Sequence, residues 1–134
     1  MMIVPLAAVV QDADMAITHL REFLRFPTVS QSQAEDHVTD SEVFTNARRY
    51  LEETYSGLLQ APGMQYHIIA RHSMLLEWRG TDPNLKPVML YGHYAVVPVG
   101  NGTEVWEHDP FSADLHDGCV QSVHRIPRQG LTLI

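Results

Sequence analysis

The sequence is poor in several things, and each shortage closes off a class of function. It holds a single cysteine, Cys119, so no disulfide can form within the chain. Lys and Arg number only 9 against 16 Asp and Glu, and they form no basic run. Binding nucleic acid draws on clustered cations that release counterions, so that partner is excluded. No apolar stretch approaches the ~18–20 residues that cross a bilayer, which argues against a membrane partner. No internal repeat and no low-complexity segment occurs.

What remains is enough for one modest domain. Of 134 residues, 45% are hydrophobic, the net charge is −7 and the pI is about 5.5. Residues 1–12 open with MMIVPLAAVV, which is apolar, short, and lacks a basic start. They are read as a leader, disordered or packed, with a clipped signal peptide as the alternative. Localisation therefore stays open between cytoplasmic and vacuolar or secretory.

Ala16, Ile17, Leu20, Phe23 and Leu24 recur at helical spacing and predict a helix over 13–26. Asp12 or Asp14 serves as its cap, and Pro27 stops it. His19 belongs to this helix and reads as a surface residue. The polar stretch 28–40 reads as a loop, with His37 solvated. A second helix is expected over 40–58, opened by a capping box of Thr39 and Glu42. Phe44, Ala47 and Leu51 mark its buried face, and Arg48 can pair with Glu52 one turn on.

Strand patterns follow. Met64, Tyr66, Ile68 and Ala70 alternate with polar residues, Ser73 to Trp78 forms a second strand, and Lys86 to Tyr91 a third. Short connections favour antiparallel neighbours. His67 and His72 lie five apart, which on one strand points them to opposite faces, so both read as structural. His108 sits on an acidic, solvated loop, and His116 and Asp117 resemble it. Trp106 and Phe111 read as packing residues.

The chain is organised around 87–98, PVMLYGHYAVVP. Apolar residues lead to Gly92 and His93, and a second apolar run closes at Pro98. A buried strand that delivers an imidazole at its carboxyl end has this form, and α/β sheets place chemistry at that edge. LLEWRGTDPNLKP precedes it and VWEHDPFSADLHDG follows.

These residues together resemble the co-catalytic zinc exopeptidase and aminoacylase family, in its carboxypeptidase S branch. Leu75, Leu76, Trp78, Gly80, Asp82, Pro83, Leu85, Lys86, Pro87, Leu90, His93, Val96, Val97 and Pro98 match its pattern. So do Trp106, Pro110, Phe111, Ser112, Asp117 and Gly118. The resemblance is specific over about 65–118 and looser back to FLRFPTVS. It implies an α/β fold: two helices followed by at least three strands of a mixed sheet. The expected division is a leader over 1–12, a partial peptidase-like catalytic domain over 13–118 and a divergent tail over 119–134.

The resemblance also implies chemistry. Such enzymes hydrolyse C-terminal peptide bonds or N-acyl amino acids with two zinc ions, a bridging carboxylate and a Glu base. The residue matching His93 ligates one ion. Two residues on, the family has an Asp that orients the imidazole, and this chain has Ala95. A methyl group accepts no hydrogen bond, and losing such a partner typically costs 10–100-fold in affinity or activity. After Gly118 no residue matches the family's bridging Asp. His124 is a lone imidazole where each zinc takes three or four protein ligands. The expectation is a hydrolase fragment, inactive as it stands, with zinc not stably held. The alternative is a binding or regulatory piece that pairs with an intact relative.

Overall fold

The computed structural model describes residues 13–100, 106, 108–116, 119–120 and 126–127. The expected leader, most of the expected tail, His124 and the Asp117-Gly118 turn lie outside these residues. The chain divides into two compact units, Met1–Arg25 with Trp106–Ile134, and Phe26–Val105. Its described architecture is α/β.

In the first unit, helix α1 spans Ala13–Leu24. It ends two residues before the expected limit, because Pro27 disfavours helical geometry in the residue before it. Of the two expected caps, Asp12 lies outside the described residues and Asp14 sits inside the first turn. Ile17, Leu20, Phe23 and Leu24 form its half-buried face. Arg21 Nε donates to the Ala113 carbonyl at 2.7 Å, and Arg25 Nε to the Ser112 carbonyl at 3.3 Å. Asp109 Oδ1 accepts from the Phe111 amide at 2.8 Å and turns that loop. Ala113 is fully buried and sits at φ 53°, a left-handed conformation that costs an alanine free energy. Beyond it lie three two-residue strands, β3 (Leu115–His116), β4 (Cys119–Val120) and β5 (Ile126–Pro127), paired antiparallel in that order.

The second unit is built on α2, Ser41–Thr54. Its cap is Asp40 rather than Thr39. Asp40 Oδ1 accepts from the amides of Glu42 and Val43 at 2.9 and 3.2 Å. The Thr39 hydroxyl instead donates to the Val29 carbonyl at 2.6 Å. A carboxylate both accepts more strongly and complements the positive helix start, so it takes the cap. The expected helix over 40–58 is interrupted at Tyr55 and resumes as a single turn, α3, over Ser56–Leu59. Phe44 and Ala47, three apart, are the residues α2 buries.

Strands β1 (Met64–Ile69) and β2 (Ser73–Trp78) form an antiparallel hairpin, with Met64 opposite Trp78 and Ile69 opposite Ser73. Ala70 and Arg71 in its turn take φ 47° and 68°. Two successive left-handed residues without glycine store strain there. Glu52 of α2 accepts from Arg48 and from the Tyr66 hydroxyl, the latter at 2.6 Å, which ties α2 to β1.

The third strand does not form. Residues 86–91 pair with no described residue, and the sheet of this unit is a two-stranded antiparallel one rather than a mixed sheet of three. A strand exists through its neighbours: this run has the composition of a central strand but no ladder on either edge. Within 28–40, expected as plain loop, Val29 makes a parallel bridge to Val96, Ser30 an antiparallel one to Val38, and Glu35–His37 forms a 3-10 turn.

Candidate functional site

The only buried polar residue among those described, Thr28, sets the position of the candidate site. Its hydroxyl donates to the Tyr94 carbonyl at 2.7 Å, and its carbonyl accepts from the Val96 amide at 2.9 Å. The Ser30 amide donates to the Val96 carbonyl, also at 2.9 Å. The Thr28 and Val29 amides turn back to the Phe26 and Pro27 carbonyls at 2.8 and 2.7 Å, which leaves the Thr28 carbonyl and the Ser30 amide for Val96.

Tyr94 is anchored a second time through its side chain. Its hydroxyl donates to the His72 carbonyl at 2.7 Å, and its ring lies 5.7 Å from Phe44. Burial pushes the Tyr94 phenol up, with nearby Arg48 opposing in part. Phe44 also meets the His72 imidazole edge-on at 5.5 Å. One helix residue thus holds the hairpin turn and the 94–96 segment together.

Between them lies an open hollow of about 540 Å³, lined by His37, Phe44, His72, His93, Tyr94 and Ala95 among others. His93 is exposed and stands in irregular chain rather than at the end of a strand. Its Nδ1–H donates to the Ala95 carbonyl at 2.9 Å. A carbonyl can only accept, so the neutral ring carries its proton on Nδ1 and leaves Nε2 as the free donor of electrons. Residue 95 therefore does orient the imidazole, through its main chain rather than its side chain.

His72 is the residue that sequence reasoning missed. Reading it with His67 as a strand pair placed both in structural roles, and His67 is indeed exposed on β1. His72 lies in the turn, where strand alternation no longer dictates direction, and reaches the same hollow as His93. Its Nε2 stands 3.4 Å from Ser41 Oγ, and its Nδ1 is buried without a partner among the described residues. The one available signal was its place just before Ser73, at a hairpin turn.

The donor set of the described residues does not make up a two-metal centre. Among the described residues no group of three or more His, Cys, Asp or Glu is placed to hold a metal ion. His37, His72 and His93 share the hollow without converging on a common point. His108 belongs to the other unit, and the side chain of His116 is outside the description. No described helix is long and apolar enough to cross a membrane.

Comparison with known proteins gives the chain its relatives. An N-fatty-acyl-amino acid synthase/hydrolase of Xenopus tropicalis is 33% identical over 101 residues, 75% of this chain and 19% of its own. Carboxypeptidase S of Saccharomyces cerevisiae is 32% identical over 105 residues, 72% of this chain and 17% of its own. An uncharacterized carboxypeptidase of Schizosaccharomyces pombe is 30% identical over 110 residues, 80% of this chain and 18% of its own. The chain thus spans less than a fifth of the length of these relatives. No family model matches it, and no solved structure does.

Proposed function

Over the matched three quarters of its length the chain belongs to the carboxypeptidase S-like family of hydrolases, and from that premise we propose what it contributes. It is the part of an amide-hydrolase catalytic domain that carries one imidazole of the family's metal centre, His93. The substrate class is a C-terminal peptide bond or the amide of an N-acyl amino acid. By itself the 134-residue polypeptide does not catalyse that reaction. The observation carrying this reading is the donor set: His93 offers Nε2, yet the described residues bring no second and third ligand to it.

Amide hydrolysis needs an activated water, a base to take its proton and positive charge at the carbonyl oxygen. Positioning and electrostatics supply most of the rate, so an incomplete set loses it steeply. In this chain the 28–30 and 94–96 contact holds the backbone that holds His93. Zinc is the metal that the resemblance to this family implies, and His93 is the described residue that would meet it.

The test is hydrolysis of blocked dipeptides and N-acyl amino acids by the purified chain, with and without added zinc. The expected result is no turnover above background, and Ala95→Asp restores none. Chelator-sensitive turnover that His93→Ala removes would overturn the reading. In a second reading, the segment acts without catalysis by pairing with an intact relative. The exposed apolar residues 88–91 favour it. Native mass spectrometry of the chain mixed with carboxypeptidase S tests it, a complex supporting it and two separate species sinking it.

A further inference from the structure

Thr28 uses both of its oxygens on the chain around Ala95. Its hydroxyl meets the Tyr94 carbonyl, and its carbonyl meets the Val96 amide. The Tyr94 carbonyl belongs to the planar peptide group before the Ala95 Cα, and the Val96 amide to the one after it. Only φ and ψ of Ala95 relate those two planes, so the two bonds together fix both rotations. A trans peptide group points its N–H and its C=O in opposite directions, and no described one is cis. Aiming the Val96 amide at Thr28 therefore aims the Ala95 carbonyl the other way, where it accepts from His93 Nδ1–H at 2.9 Å.

We propose that Thr28 is a positioning residue for His93. Acting through the peptide planes of Ala95, its hydroxyl holds the imidazole on the Nδ1–H tautomer and so keeps Nε2 bare. The proposal rests on the reading of His93 as the imidazole that meets the family's metal, because only a bare ring nitrogen serves as a ligand.

Three further observations carry it. Thr28 is 2% exposed, so water does not compete for its hydroxyl, and a buried hydroxyl is costly to leave unbonded. Its β-branch restricts χ1, which keeps the oxygen aimed. Tyr94 is held at its far end as well, by the bond from its hydroxyl to the His72 carbonyl, so the residue between His93 and Ala95 cannot swing. The bonds also run in series, from His93 to the Ala95 carbonyl and from the Val96 amide to Thr28. Hydrogen bonds in series polarise one another, and the Ala95 oxygen becomes the stronger acceptor for it.

Long-range proton–nitrogen spectra of the histidine rings test this on the full, metal-free chain, at about pH 8.5 where an ordinary imidazole is neutral. The unchanged chain should show His93 with Nδ1 protonated and Nε2 bare, and a coupling across the bond from the Val96 amide to the Thr28 carbonyl. Thr28→Val keeps the volume and removes the hydroxyl, and should lower the ratio of the Nδ1–H to the Nε2–H ring about fivefold. Thr28→Ser returns the hydroxyl and should return the ratio. Thr39→Val removes a bond of the same kind, to the Val29 carbonyl, and should leave the ratio unchanged. A ratio that Thr28→Val does not move overturns the proposal, as does an equal fall in Thr39→Val, which would mean general loosening. An Nε2–H ring or a missing Val96 coupling in the unchanged chain overturns it too, whether or not Thr28→Val folds. Neither tautomer nor coupling depends on turnover, so failure here leaves the hydrolase reading standing, and failure of that reading leaves this one.

Discussion

Residues 88–91 and 94–96 belong to one apolar run, and they end up in opposite situations. The 94–96 segment is fixed by Thr28, Ser30, Phe44 and His72, through three main-chain or hydroxyl bonds, an aromatic contact and the Tyr94 hydroxyl. The 88–91 segment touches almost nothing. Composition does not separate them, since both are apolar and rich in residues that favour strands. The difference is whether a partner stands across the backbone. Apolar character says that a segment seeks burial; only the presence of neighbours says whether it finds it.

The comparison breaks most severely at Phe44. This ring is 4% exposed and carries the contacts to His72 and Tyr94. Phe44→Ala should cost about 3 kcal/mol, at the low end for a buried phenylalanine because the surrounding core is small. Urea denaturation would measure it. With the anchor gone, amide exchange at Val96 should approach the fast exchange expected at Leu90.

A smaller effect follows from removing one hydroxyl. Tyr94→Phe keeps the ring and loses the bond to His72, a change of about 1 kcal/mol. It should also alter the pH dependence. Burial raises the Tyr94 pKa in the fold. The protonated phenol therefore stabilises fully below the ordinary tyrosine value of about 10, and that contribution is lost as pH rises through the raised value. Tyr66 behaves in the same sense, pushed up by burial and by its bond to Glu52. Denaturation between pH 8 and 11 should show stability falling above about pH 10, less steeply in Tyr94→Phe. An equally steep fall in the variant would mean that Tyr94 does not titrate as its burial implies.

The smallest effect belongs on the free side. Val88→Thr should change stability by less than about 0.5 kcal/mol, as exposed substitutions do. A loss as large as that of Phe44→Ala would show that 88–91 is buried in solution, and the comparison would collapse.

Much of the scaffold was legible in the sequence. Periodicity placed α1, α2 and the hairpin, because amphipathic patterns report which face a segment buries. The cap was misassigned by one residue, since Thr39 and Asp40 are both cap formers and the choice depended on the Val29 carbonyl nearby. The third strand was read from composition, and pairing is a property that composition does not contain. At the site, His93 stood out from its flanking motif. His72 did not, because a turn frees its side chain from the alternation that sequence reasoning relies on. Thr28 carries no such signal either, since its role rests on a hydrogen bond to a residue 66 positions away.

The bond from His93 to the Ala95 carbonyl has a consequence for how position 95 tolerates change. An acceptor on the main chain is present whatever side chain the codon specifies, so the tautomer of His93 is insulated from substitution there. A carboxylate in the same role would also bring a full negative charge, which makes the ring a stronger electron donor and partly neutralises a cation beyond it. The carbonyl brings only a dipole. Alanine at 95 thus separates two properties that an aspartate would supply together, keeping the ring's direction without placing a charge beside it.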